Sequence, residues 1–67
     1  MSDYYVIEFY SSSGARVTQE HVPASICLAH YVEYVERELS RGFGLGSARI
    51  FNSRCDVIHS AQFFVPN

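Results

Sequence analysis

At 67 residues, 48% apolar and 18% charged, with a formal net charge of −2, the chain has room for one domain and is too apolar to stay disordered. A domain this small buries only about 60% of the surface its unfolded chain exposes, so its stability margin is thin. Large multi-step enzymes, membrane channels, repeat arrays and collagen-like fibres are excluded, and no apolar run approaches the ~20 residues of a helical membrane span.

Residues 3–10 are rich in β-branched and aromatic types and predict a strand. Tyr5, Ile7 and Phe9 share one face of it; Tyr4, Val6, Glu8 and Tyr10 share the other. Ser11, Ser12, Ser13 and Gly14 form a turn cluster. The more polar residues 15–21 then predict a returning antiparallel strand at a sheet edge.

Pro23 is favoured in a first helical turn, and the pattern from Pro23 or Ala24 to about Arg41 is helical. Ala24, Leu28, Tyr31, Val32, Val35 and Leu39 recur at the i, i+3, i+4, i+7 spacing and form the expected buried stripe. Glu33 and Arg37 stand four apart in the favoured order, and Gly42 is placed to end the helix in a left-handed turn. Residues 42–46 read as a flexible connector, 47–51 as a third strand, and 54–65 as a long fourth strand with a bulge near Ser60. On that strand Cys55, Val57, His59, Ala61, Phe63 and Val65 share parity, with Val57 and Phe63 expected toward the helix, while Ile58 and Phe64 point the other way. The expectation is a single α+β domain over residues 1–67: a four-stranded, mostly antiparallel sheet with one helix on one face, in the order β-β-α-β-β.

Cys27-x-x-His30 and Cys55-x-x-x-His59 invite a zinc reading. Positions four apart on an extended strand lie ~13 Å apart, however, whereas Zn–ligand bonds are about 2.0–2.3 Å, so an unbroken strand cannot offer both Cys55 and His59 to one ion. No metal or cofactor is expected. A Cys–His nucleophile would need an activated thiolate beside a base, from Cys27 with His30 or from Cys55 with His21 across the sheet. No catalytic signature surrounds either cysteine, and the short chain leaves little room for a cleft, so no enzyme is expected. Gly42-x-Gly44-x-Gly46 follows a helix rather than opening one, so the helix end facing it has the wrong polarity for phosphate.

Two binding readings remain. Tyr4, Tyr10, Phe51 and Phe64 on the sheet face away from the helix, with Arg49 and Arg54 nearby, have the residue types that stack and hold single-stranded nucleic acid. Against this, the five cations are all arginine with no lysine, and seven carboxylates outnumber them, whereas phosphate binding favours a positive excess. Protein association is preferred. One helix covers one face of a four-stranded sheet, yet Tyr4, Val6, Tyr10, Phe51, Ile58 and Phe64 place apolar surface on the other, and such a patch marks a partner surface. Tyr34, Arg37, Glu38 and Arg41 on the helix flank form a second candidate surface of hot-spot residue types. A homodimer that buries the open face against itself is the structural alternative.

In its size, β-β-α-β-β layout and lack of catalytic residues, the whole chain resembles the small inhibitor proteins of bacteriophages and mobile elements, the anti-CRISPR proteins among them. The resemblance rests on no motif, and no functional residue is carried over from it. It implies stoichiometric occupation of a site on a host complex, such as a Cas effector, in the cytoplasm of the host cell. The absence of a basic, apolar leader at Met1–Tyr5 and the count of two cysteines agree with a cytosolic protein holding reduced thiols.

Overall fold

Alternating side chains on Tyr4–Ser11 (β1) let one strand serve two faces, and β1 lies inside a four-stranded sheet. A computed structural model describes residues 3–42 and 44–62 of the chain. Around β1 the sheet is completed by β2 (Arg16–Pro23), β3 (Leu45–Phe51) and β4 (Val57–Gln62), in the order β2-β1-β3-β4 with every pair antiparallel. One helix, α1 (Leu28–Ser40), connects β2 to β3 and packs on the sheet. The chain is thus an α+β fold of order β-β-α-β-β, as its periodicities predict.

The register builds rows across the sheet. Glu20, Ile7, Ile50 and His59 form one row on the helix side, and Thr18, Phe9, Ala48 and Ala61 form the next. Ile7, Phe9, Ala48 and Ile50 from these rows meet Tyr31, Val35 and Leu39 of α1 in the buried core. Tyr31 packs edge-on to Tyr5 at 5.9 Å between ring centres and donates its part-buried hydroxyl to the Pro23 carbonyl at 2.7 Å. That bond removes the cost of an unpaired phenol beneath the helix.

Several boundaries differ from the sequence expectation. Pro23 ends β2 instead of opening α1: it lies opposite Tyr4 on an edge strand, where a missing N–H costs no ladder bond, and Ala24 N–H then reaches the Asp3 carbonyl. Ala24 therefore lies outside the helix, which starts after Cys27 and keeps Leu28 and Val32 half-buried beside the core stripe. Glu33 and Arg37 form no ion pair, while Arg41 reaches Glu38 at 3.0 Å. Gly42, at φ +73°, ends α1 in the expected left-handed turn.

Gly46 belongs to β3 and not to a loose connector, because a side chain there would meet the Ser12 backbone at 2.7 Å. The fourth strand starts at Val57, later than the expected residue 54. Asn52 accepts backbone N–H bonds from Arg54 and Asp56 on its side-chain oxygen, both at 2.9 Å, and closes a turn that holds Cys55 at φ +68°. The register slips beside Phe51, not at Ser60, so Val57 lies opposite Phe51 and half-exposed rather than in the core. Phe43 of the expected connector and Phe63, Phe64 and Val65 of the expected fourth strand lie outside the described residues. No helix of the described chain is long and apolar enough to cross a membrane.

Candidate interaction face

With α1 on one side, the other side of the sheet carries no second layer among the described residues. Its rows follow from the register. His21, Val6 and Phe51 form one, Gln19, Glu8, Arg49 and Ser60 the next, and Arg16, Tyr10, Ser47 and Gln62 the third. The apolar row sits at one end, flanked by Tyr4, which is 43% exposed and packs its ring on His21 at 5.7 Å. Val6 and Phe51 are half-buried, and Val57 beside Phe51 is 52% exposed. Tyr4, Val6, His21, Phe51, Asn52 and Cys55 line a shallow depression of about 320 Å³.

The middle row is organised by Glu8. Its carboxylate accepts bonds from the Tyr10 hydroxyl and, at 2.8 Å, from the Gln19 amide, and Arg16 approaches it at 3.6 Å. These partners, the Tyr10 bond foremost, hold the Glu8 carboxyl below the usual carboxylate range despite an opposing contribution from burial. The same bond pushes the Tyr10 phenol upward. Arg49 lies over the Tyr10 ring at 5.3 Å from its centre, a cation–π contact that fixes the guanidinium on the surface. Glu8 thus remains a fixed negative charge at the centre of the face, bordered by ordered arginine and tyrosine.

The residues expected at a partner surface separate into three sets. Tyr4, Tyr10, Arg49 and Phe51 share the open face. Arg37 and Arg41 are exposed on and just after α1, with Glu38 half-buried. Tyr34 turns inward instead: its ring packs edge-on to Phe9 at 6.0 Å, and its hydroxyl donates to Glu20 at 2.9 Å. It is a bridge between α1 and β2 rather than a free flank residue. Phe64 lies outside the described residues. His59, weighed in the sequence as a metal ligand, sits beside Ile50 with its Nε2 atom buried and unpartnered.

The turn at Cys55 does break the extended spacing to His59, yet no group of three or more His, Cys, Asp or Glu among the described residues is arranged to hold a metal ion. Both cysteines are exposed thiols. His21 and Cys55 border the same depression, where the ring partner of His21 is Tyr4. Comparison with protein-family models, with curated proteins and with solved structures finds no match to this chain.

Proposed function

We propose that the chain is a non-catalytic protein-binding module whose open sheet face seats a partner protein. The observation that carries this reading is the combination of Tyr4, Val6 and Phe51 with an ordered Glu8–Tyr10–Arg49 array on a face that no described element covers. Aromatic and aliphatic residues supply desolvated anchors, and fixed charges of both signs beside them select a complementary surface and reject others. In its size and layout the chain resembles phage-type inhibitors, and the proposed mode of action is theirs: occupation of a site on a host complex, without turnover.

The alternative use of this face, stacking single-stranded nucleic acid on Tyr10 and Phe51, meets a specific obstacle. The Glu8 carboxylate is held ionised between those rings, where a backbone phosphate would pass.

The test is affinity capture from a bacterial lysate containing CRISPR effectors, with the natural chain and with Phe51→Ser and Arg49→Glu variants of unchanged circular dichroism. Loss of the same captured protein from both variants is expected. Equal capture by all three proteins rejects the open face as the binding surface. A salt-sensitive gel shift of single-stranded RNA, or a dimer in light scattering that either substitution dissociates, replaces this reading with nucleic-acid binding or with self-association.

A further inference from the structure

A second surface lies on the other side of the sheet and does not rest on the reading above. The helix makes its closest backbone approach to β3 and β4, so β2, at the far side of the sheet, is left largely uncovered. Between α1 and β2 runs a groove of about 330 Å³, at the small end of the range that holds a ligand or a single large side chain. Its walls are the apolar side chains of Phe9, Val17 and Leu45, and Glu20 and Glu38 place carboxylates along it, with Arg41 on one oxygen of Glu38 at 3.0 Å. Tyr34 spans it, with its hydroxyl fixed on Glu20 and the charge of Glu38 close enough to act on the same phenol.

The strand beside this groove is an edge. β2 pairs with β1 alone among the described residues, so its outer main-chain groups face no other strand. An added strand would bond to that edge and send alternate side chains to the helix side, where the groove lies. We propose that this groove receives the arginine side chain of an extended partner segment that adds to β2. Charge complementarity names the occupant: the methylene stem lies along Phe9, Val17 and Leu45, and the planar guanidinium offers enough donors to serve Glu20 and Glu38 together. A point-like ammonium cannot span two carboxylates as well, and an anionic segment is repelled.

The probe is a synthetic octapeptide of alternating threonine and arginine, titrated into the whole chain and followed by amide chemical shifts. Shifts confined to β2, Tyr34 and Leu45 are expected. Replacing every arginine by neutral, isosteric citrulline, or substituting Glu20→Gln in the protein, weakens binding about tenfold. Glu38→Gln weakens it by a smaller factor, about threefold, because the Glu38 carboxylate already pairs with Arg41 at 3.0 Å. The amide oxygen that Glu20→Gln introduces still accepts the Tyr34 hydroxyl bond, so this variant keeps its fold, and circular dichroism checks this. Equal binding of the citrulline peptide overturns the proposal. So do shifts centred on Val6, Arg49 and Phe51, or groove shifts that follow protein concentration without peptide and so report a second copy of the chain. A Phe51→Ser protein that loses its captured partner but binds this peptide unchanged separates the two surfaces.

Discussion

The Tyr34–Glu20 bond makes a prediction that can be followed at one atom. Tyr34 is half-buried between α1 and the sheet, and its phenol is pushed up from the ordinary 10.0 to about 12. Burial is the largest cause, followed by the hydrogen bond to Glu20 and then by the negative charges of Glu20 and Glu38. A group whose folded pKa is raised stabilises the fold fully below its unfolded value and loses that contribution as pH rises through the folded value. Stability tied to Tyr34 is therefore complete below pH 10 and lost by about pH 12. A shift of this size corresponds at most to about 2.7 kcal/mol, and solvent screening of a phenol that water still reaches reduces it to about 1 kcal/mol. The Glu20→Gln substitution removes the charge and leaves the burial. The Tyr34 titration, followed through its Cζ chemical shift, then moves part of the way from about 12 toward 10 and stops above it. A complete return would make the carboxylate the dominant cause. No movement would show that Tyr34 and Glu20 do not meet. Either result refutes the reasoning.

Four further outcomes follow from the packing and the polar contacts. Ile50 is fully buried, and Ile50→Ala should cost about 2–5 kcal/mol in urea unfolding, a large share of the roughly 3–10 kcal/mol expected of a chain this long. His59→Leu replaces a buried, unpartnered nitrogen by apolar atoms and should stabilise the fold by about 1 kcal/mol, read as a higher unfolding midpoint; a loss of that size would reveal a partner for the imidazole. Gly46→Ala sets a methyl group against the Ser12 backbone at 2.7 Å and should destabilise by about 1–3 kcal/mol, read as a lower thermal midpoint. Tyr10→Phe removes the principal bond to Glu8, so the Glu8 carboxyl should titrate closer to the ordinary range in a carboxyl-carbon NMR titration. The stability that depends on Glu8 is present above the unfolded carboxylate pKa and lost as pH falls through the lowered folded value; Tyr10→Phe should make that loss smaller and complete it at higher pH.

The sheet and the helix were legible because their periods are unambiguous. Tyr5, Ile7 and Phe9 alternate, and Tyr31, Val35 and Leu39 recur at four-residue spacing on the buried face. Pro23 was ambiguous because proline suits both a first helical turn and the end of an edge strand, and only the pairing with Tyr4 decides between them. Parity failed beyond Phe51, where one extra residue in β4 slips the register and moves Val57 out of the core. A sign of the strand's late start was present in Asn52 followed four residues later by Asp56, the ends of a side-chain-capped turn. Tyr34 stands three residues after Tyr31, at the margin of the buried stripe, and Glu20 lies on the helix-facing parity of an edge strand. A phenol and a carboxylate in those positions are natural partners, yet their meeting depends on where the helix lies across the sheet, which no local pattern encodes.

Both surfaces trace to one mismatch of dimensions. Four strands spaced about 4.8 Å apart span about 14 Å between the axes of the outer pair, and their side chains spread the sheet wider still. A helix is about 10 Å across, so α1 cannot shelter both edges. It sits toward β3 and β4, and the chain reaches back to the other half with its longest aromatic side chains, Tyr31 to Pro23 and Tyr34 to Glu20. These bridges close the core over Phe9 without filling the space above β2, which leaves the groove with its two carboxylates. On the opposite side no bridge exists among the described residues, and order comes from contacts within the face itself, centred on Glu8 and on the Arg49–Tyr10 stack. A lone domain has little reason to organise polar groups so closely on a face that only water touches, because exposed ion pairs contribute little to folding. Under the proposed function, side chains fixed in this way before a partner arrives would lose less freedom on binding.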